Sequence, residues 1–491
     1  MKNKTVFIIV GLLLICNISF SEEAVIEKIL FELSLADVSR IAIENNLDIQ
    51  IAKYDAYIKR TDDLSSRSIY DTIFSASASY KNDELASSSS LAAGKTTTRD
   101  YGVGVSKKTS TGTTIGVDLE NQRVDTDSSL VSINPSNEAS AKFSLKQELG
   151  KNFFGLKDRS DIKITKFEIL NSDYTSLDKI EDVLLSVQKA YWKLAYLYEE
   201  LEVRKDMLKK AKKLMTIYDD KYTLGLVEDP DLFAARANVL SRKNELNITK
   251  KQLELANSNL LLRLNEENEA LDVLTKDKIK FKVCDVDLNE SLEQAVLHRR
   301  DYARGKNNIK AKNINLVMKK NNLWPEIDLS ASLAKNGIDS SYSEALSSIN
   351  KSDNKEFYVG LTIKIPFENS NARAQLSKAR LEKAKYLASL KQIERKILIE
   401  INDKITILNS LLNQVDTSVS IVDLQQQKLA AEEDRFNVGR SSSDILIRYQ
   451  EDLLNARLSL VGYIYEYELA KIDLLKSEGV LLNEYVKGEV L

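Results

Sequence analysis

The chain has 491 residues, of which 43% are hydrophobic and 29% charged, with only 16 glycines and 4 prolines. This composition favours long, uninterrupted helices in a chain large enough to bury a sizeable core. The formal net charge of −3 disfavours binding to nucleic acid. One histidine, His298, and two cysteines, Cys16 and Cys284, exclude a metal site built from two histidines or a cage of cysteines.

The N-terminal segment, residues 1–21, has the pattern of an export signal peptide. Two lysines precede an apolar run from Val6 to Ile15, and small serines stand at the positions read by a signal peptidase that cleaves after Ser21. Lipidation at Cys16 is the alternative. It is disfavoured because Ile15 stands where bacterial lipoprotein signals have a small residue.

Six segments alternate apolar and polar residues with the period of a β-strand. No stretch after the signal approaches the roughly 18 to 20 apolar residues of a membrane-spanning helix, so any membrane-spanning part is expected to be β. The candidate strands are 74–80, 101–105, 115–119, 139–145, 327–333 and 357–365. A surface β-domain with one wet face explains a single such strand equally well. Several in an exported chain favour a membrane barrel, with an aromatic girdle at the strand ends formed by Tyr80, Tyr101, Trp324 and Phe367.

Two long stretches have the heptad-like spacing of a coiled coil. Apolar residues recur at three or four positions, or at seven, through 183–218 and again through 397–422, and neither Pro nor Gly occurs between Leu156 and Leu224. A helix of about 60 residues would reach about 90 Å, much longer than a compact domain uses. The chain is therefore expected to have a function that needs this reach.

The chain is duplicated. The numbers of Gly225 and Gly439 differ by 439 − 225 = 214, and the same ungapped offset pairs Glu254-Leu255-Ala256 with Glu468-Leu469-Ala470. Each glycine is expected to end a long helix, and a nearby aspartate, Asp229 or Asp444, to cap the next.

The predicted organisation is a signal peptide, two repeats and a tail. The first repeat spans 22–283, with strands at about 70–147 and a tip turn at about 225. The second spans 284–480, with strands at about 326–366 and a tip turn at about 439. Residues 481–491 form the C-terminal tail.

The order of these motifs resembles the TolC-type outer membrane efflux protein family. Leu33-Ser34-Leu35-Ala36-Asp37 resembles the family's opening helix, Leu323-Trp324-Pro325 its second-half strand entry, and Val359-Gly360-Leu361 its return strand. The resemblance implies a mainly α fold with a β-barrel part: two tandem repeats of long coiled-coil helices and transmembrane strands. It also implies a homotrimer in which each chain gives four strands to one barrel in the outer membrane and its helices to a periplasmic α-helical barrel.

The resemblance further implies that a periplasmic adaptor, working with an inner-membrane transporter, docks on the two helix tips. The matching positions are Leu224, Gly225, Leu226, Val227, Val438 and Gly439. Asp444 matches an acidic gate position, with Arg440 as its expected partner, whereas capping of the helix alone is an equally good explanation of Asp444.

The expected function is thus an outer-membrane channel for efflux or type I secretion, without enzymatic activity or a cofactor. The alternative is an exported coiled-coil structural or adhesive protein without transport. The first repeat also departs from the family, because it carries two additional strands, around 101–107 and 112–120. They form either a hairpin outside the barrel or an enlargement of it.

Overall fold

The computed structural model describes residues 29–86, 93–268, 270–279, 281–351, 353–438 and 440–485. The predicted signal peptide with Cys16, the predicted tip glycine Gly439 and residues 486–491 of the predicted tail lie outside these ranges.

Most of the described chain is helical. The helices are α1 (Leu35–Asn45), α2 (Leu47–Arg67), α3 (Leu156–Thr223), α4 (Asp229–Leu264), α5 (Leu288–His298), α6 (Arg300–Asn321), α7 (Tyr342–Lys351), α8 (Ser370–Asn437), α9 (Ser443–Glu478) and α10 (Leu481–Tyr485). Both α3 and α8 have 68 residues, a length of about 100 Å at about 1.5 Å per residue. The two long helices predicted from the coiled-coil spacing are confirmed. Within the described part of the chain, no helix combines the length and the apolar character needed to cross a bilayer.

Two sheets accompany the helices. Their strands are β1 (Ile29–Leu33), β2 (Thr72–Asp83), β3 (Thr96–Lys108), β4 (Thr113–Thr126), β5 (Ser136–Glu148), β6 (Leu271–Thr275), β7 (Glu326–Asp339) and β8 (Lys355–Lys364). The larger sheet is antiparallel throughout, in the order β2-β3-β4-β5-β7-β8, and all six of its strands were predicted. Short β1 and β6 pair in parallel.

The helix boundaries repeat at fixed offsets. Both ends of α3 and of α4 precede the corresponding ends of α8 and α9 by the same offset, 370 − 156 = 214. The starts of α1 and α2 instead precede those of α5 and α6 by 288 − 35 = 253. The first repeat is thus longer by 253 − 214 = 39 residues between α2 and α3. These extra residues are in the strand region, where β3 and β4 form a hairpin between β2 and β5. The additional strands are therefore part of the same sheet.

The largest core cluster lies where α1, β1 and β6 pack on the middle of α3. The hydroxyl of Tyr191, on α3, donates to the carbonyl of Leu33 at 3.0 Å and to the carboxylate of Asp277 at 2.9 Å. The same carboxylate accepts from the backbone N–H of Leu35 at 2.6 Å. Burial is the main cause of the raised pKa of Tyr191, so the phenol stays a neutral donor that joins the opening of α1 to α3.

An ion network joins the two repeats near the start of α6. Arg300 donates to Glu181 of α3 at 2.8 Å, and both side chains are almost fully buried. Arg299 binds Asp301 and, at 2.8 Å, Glu400 of α8. The Arg299-Arg300-Asp301 segment at the start of α6 thus supplies the cations that fasten α6 to both long helices.

Candidate functional site: the sheet face and the helix tips

One face of the large sheet carries an exposed apolar line, and α7 packs on the same face at Ala139. A single cross-strand line of paired residues contains Phe74, Val105, Val117, Phe143, Leu333 and Phe357. All six side chains are exposed, from 44% for Val105 to 74% for Phe357. A line of exposed apolar side chains across six strands is typical of a surface that contacts lipid or a partner.

The opposite face carries small and polar side chains. The next line across the same strands contains Ser75, Gly104, Asp118, Lys142, Ala334 and Glu356. Space beside Gly104 is filled by its neighbours, since an added Cβ would lie 2.4 Å from Asp118 Oδ1 and 2.9 Å from Ser75 Oγ. The two faces therefore suit different solvents, one apolar and one aqueous.

The apolar band runs obliquely across the sheet. On β2 it extends from the Phe74–Phe357 line toward Tyr80, away from the helices, whereas on β8 it extends from the same line toward Ile363, near the helices. If the band were perpendicular to the strands, its limits on β2 and on β8 would be paired with each other across the sheet, and they are not. The oblique course is what strands tilted by about 35–45° to a barrel axis require.

The four predicted girdle aromatics are all exposed, and three of them lie near strand ends. Tyr80 lies near the end of β2 and Tyr101 in the middle of β3, both in the half of the sheet far from the long helices, while Trp324 precedes β7 and Phe367 follows β8 at the helical end. This spacing puts one pair on each side of the apolar band.

The first helix tip ends in a Schellman motif around Gly225. The N–H of Leu226 donates to the carbonyl of Lys221 and the N–H of Gly225 to that of Tyr222, each at 2.9 Å. Gly225 has φ +70°, and nothing lies within 4 Å of the position of an added Cβ. The glycine is therefore required by the backbone conformation and not by packing.

The second tip repeats this geometry at the offset of the long helices. The N–H of Arg440 donates to the carbonyl of Arg435 at 2.8 Å, as the N–H of Leu226 does to Lys221. Three apolar tip side chains are exposed to nearly the same extent: Leu224 at 71%, Leu226 at 70% and Val438 at 69%. Val227, predicted with them, instead packs against the tip core formed by α3, α4, α8 and α9.

The predicted gate pair is not formed within the chain. Asp444 is 86% exposed and binds Arg448 at 3.2 Å, one helical turn along α9, in place of Arg440. The prediction that Asp229 and Asp444 cap the two helices that follow the tips was wrong. The N-cap residues of α4 and α9 are Glu228 and Ser442, and neither makes a side-chain cap bond. Asp444 lies in the first turn, where the helix dipole favours a carboxylate.

Polar contacts that the sequence analysis missed fasten the second tip. The hydroxyl of Ser441 donates to buried Glu432 at 2.5 Å, and that of Ser443 donates to Asp231 of the first repeat at 3.2 Å. Glu432 interrupts the buried stripe between Leu429 and Phe436. Because an acid at a core position of a helix needs a polar partner, Glu432 could have been identified from the sequence as part of a polar contact.

Known proteins match this chain in both sequence and fold. The outer membrane efflux protein family matches residues 291–480. SilC of Salmonella typhimurium, described as a probable outer membrane lipoprotein, is 22% identical over 296 residues, which are 60% of this chain and 62% of SilC. The aligned segment thus spans less than two thirds of that relative. The resemblance predicted from the motifs is confirmed.

Solved structures match more of the chain. CusC, whose crystal structures concern folding and transmembrane channel formation, has a TM-score of 0.69 at 16% identity, covering 91% of this chain and 92% of CusC. The CmeC outer membrane channel of Campylobacter jejuni has a TM-score of 0.66 at 18% identity, covering 91% and 86%. The open MtrE outer membrane channel of Neisseria gonorrhoeae has a TM-score of 0.66 at 16% identity, covering 91% and 89%. At these identities the likeness establishes the fold.

Proposed function

We propose that this chain, which carries an outer membrane efflux protein domain over residues 291–480 and has the fold of solved outer-membrane channels, forms a passive outer-membrane duct. Three copies assemble around one axis. The duct carries substrates from an inner-membrane transporter across the periplasm and the outer membrane, in an efflux or type I secretion system. No step of this role needs a cofactor or an enzymatic reaction.

The observation that carries the proposal is the two-faced sheet joined to helices of equal length. The face with Phe74 and Phe357 suits lipid, while the face with Ser75 and Asp118 suits water. A soluble sheet would cover such an apolar face with another layer. Helices of about 100 Å extend the polar side far beyond a bilayer, whose hydrocarbon core is about 30 Å thick.

The barrel is built by copies of the sheet, because one copy leaves two unpaired edges. Edge strands β2 and β8 are exposed along almost their whole lengths, and such edges pair with another strand or aggregate. Pairing β8 of one copy with β2 of the next closes a ring. Six strands from each of three copies give a barrel of 18 strands, where the family pattern of four from each chain gives 12.

The barrel width follows from the strand count. With a strand spacing of about 4.8 Å and a tilt of about 40°, 18 strands make a ring about 36 Å across at the backbone, against about 24 Å for 12 strands. The lumen is lined by the face that carries Ser75, Asp118 and Lys142. A polar lumen of this width selects little by itself, so the transporter decides what is exported.

The helix tips are the proposed contacts with the periplasmic adaptor. Exposed Leu224, Leu226 and Val438 offer apolar side chains at the end of the helical hairpins, and Gly225 makes the tight turn of the first tip. Apolar side chains grouped at one exposed end, and not scattered singly, are typical of a surface that binds a partner. Asp444 remains the gate candidate. Three copies around an axis would bring like charges together, with Arg448 as the compensating cation in each chain.

The alternative is an exported coiled-coil structural or adhesive protein. It explains the helices but not the apolar face of the sheet, which a water-soluble stalk would have no reason to expose.

Cell fractionation and detergent extraction distinguish the two. A duct is recovered from the outer membrane only with detergent and migrates as an SDS-sensitive trimer. A monomer released without detergent would refute the proposal.

A further inference from the structure

We infer that the lipid-facing side of the sheet binds phosphate groups of outer-leaflet lipid through Arg99 and Arg123. This inference rests on the proposed function, which orients the apolar face toward the membrane. It adds a ligand site at the end of the sheet far from the helices.

Arg99 and Arg123 are directly opposite each other on β3 and β4. Cβ atoms of opposite residues in neighbouring strands lie about 4.5–5.5 Å apart, and like charges in such positions destabilise a sheet. Arg99 stacks on the ring of Tyr80 at 5.9 Å. Among the described residues neither arginine has an acidic partner, and the Nε of Arg123 is buried without a hydrogen bond. The two positive charges are therefore not neutralised within the described chain, and a bound anion would relieve their repulsion.

The position of the pair decides which anion fits. Arg99 is on the same face of β3 as Tyr101 and Val103, and it lies immediately beyond them at the outer side of the apolar band. A phosphate bound there by a lipid headgroup would leave its acyl chains along the band. Arginine is suited to this ligand because its guanidinium binds phosphate oxygens in pairs.

A cleft adjoins the pair and has room for a headgroup. Its volume is about 710 Å³, and it lies between α7 and strands β2 to β5. Tyr342 and Leu346 of α7 form one wall, and Asn121 lies among the strand residues that line it. The Oδ1 atom of Asn121 is buried without a hydrogen bond. A sugar hydroxyl group of a glycolipid would supply the missing donor.

A second pair of cations continues the site along the rim. Lys335 and Lys355 are opposite each other on β7 and β8, two pairs beyond Leu333 and Phe357 and therefore on the same face. Neither has an acidic partner among the described residues. Counting two strand spacings and four residues along β5, this pair lies roughly 16 Å from Arg123, a separation that suits a second phosphate. Both cation pairs border the oblique apolar band at its outer side.

The charges differ between the two faces of the sheet. In this outer region the lumen face carries Asp100, Asp118, Glu120, Glu138 and Glu356 together with the cations Lys81 and Lys142, whereas the lipid face carries the four cations, with Asp125 and Asp339 only at the strand ends. Asp339 accepts the backbone N–H groups of Ser340 and Ser341. Because side chains on opposite faces of a sheet do not meet, the four cations of the lipid face are not paired with the acids of the lumen face.

The test compares R99Q/R123Q with the matched control K81Q/K142Q, which removes two charges from the opposite face. Lys81 is exposed and pairs with half-buried Asp83, and Lys142 is exposed. Full-length trimers are placed in phosphatidylcholine nanodiscs that contain a bisphosphorylated acylated disaccharide. Matched samples contain the same glycolipid after phosphatase treatment, or inorganic phosphate. Bound lipid is counted by native mass spectrometry.

Wild type and K81Q/K142Q are expected to retain the phosphorylated glycolipid, and R99Q/R123Q to bind it at least about tenfold more weakly, since hydrogen bonds between charged groups are lost. Equal retention by R99Q/R123Q would overturn the inference. Retention of the dephosphorylated glycolipid to the same extent, or displacement by inorganic phosphate at equal concentration, would overturn it as well. Channel conductance, measured on the same samples, separates these results from a failure of the proposed function, which would abolish conductance in wild type too.

Discussion

Arg300 is the main cationic partner of the buried carboxylate of Glu181, and the variant Arg300→Met removes it while keeping an apolar side chain of similar length. The arginine donates to Glu181 at 2.8 Å, and a backbone N–H, that of Leu482, donates to the same carboxylate at 3.2 Å. These contacts join α3, α6 and α10. Burial raises the pKa of Glu181, and the charge of Arg300 opposes that rise.

The magnitude follows from burial. The side chains of Arg300 and Glu181 are 8% and 4% exposed, so the variant leaves a carboxylate in the core with one neutral donor. Breaking a buried ion pair in this way costs about 3–5 kcal/mol. Replacing both partners, as in R300M/E181L, removes the uncompensated charge, and this double variant is expected within about 1–2 kcal/mol of wild type. Arg448→Met, which breaks an exposed pair, is the control and should change stability by less than about 0.5 kcal/mol.

The cost depends on pH in a defined direction. Without Arg300, the pKa of Glu181 in the folded state rises further above its value of about 4.3 in the unfolded chain. The folded state then holds a proton that the unfolded state has released, so stability falls as pH rises through this window. The deficit of R300M relative to wild type is therefore largest at neutral pH and shrinks as pH falls toward about 4.3.

Urea unfolding of detergent-solubilised protein, followed by tryptophan fluorescence, measures the effect. Trp192 is buried in the core cluster that also contains Leu482, so its emission reports on this region. An R300M protein within about 1 kcal/mol of wild type at neutral pH, or a deficit that does not shrink in acid, would refute the reasoning.

Two further predictions concern the tips and the barrel. L224S/L226S should weaken adaptor binding by about tenfold or more while trimers persist, because interface side chains that become buried carry most of the binding energy. The loop variant L85S, also at an exposed leucine, is the control, and equal adaptor affinity in both variants by surface plasmon resonance would contradict the docking role. Deleting residues 93–131 removes a segment as long as the excess of the first repeat, including β3 and β4. The barrel seen by electron microscopy should narrow by about a third, from 18 to 12 strands. A trimeric barrel of unchanged diameter would contradict the six-strand contribution.

Local patterns in the sequence were sufficient for the long helices and the strands. The period of two around Phe74 and around Phe357 predicts strands because each side chain there has a fixed face. The uninterrupted stretch after Leu156 predicts α3 within a residue at either end. In both cases the signal extends over many residues and depends on neighbours in the chain.

Features that depend on distant contacts were not predictable. β1 and β6 are short strands far apart in the chain, and each offers only a few residues, so neither shows a period long enough to recognise. Helix α7, in the Ser-rich tract between β7 and β8, has only 10 residues, too few for a clear helical period. The position of the β3–β4 hairpin within the sheet depends on pairing with β2 and β5. Alternation within a strand fixes the face of each side chain but not which strand lies beside it.

At the second tip, the helix geometry explains why the predicted pair of Asp444 and Arg440 does not form. Arg448 is four residues after Asp444 on the same face of α9, and this spacing brings the two side chains together. Arg440 precedes the helix, where no regular geometry directs it to Asp444. Ser442 ends the turn and takes the N-cap position expected of the aspartate.

Single-channel recording in planar lipid bilayers tests the central claim most directly. Purified trimers are expected to raise the conductance in discrete, equal steps, and heat-dissociated monomers of the same preparation to raise it not at all. A preparation of intact trimers that binds to the bilayer without discrete steps would contradict the account of this chain as an outer-membrane duct.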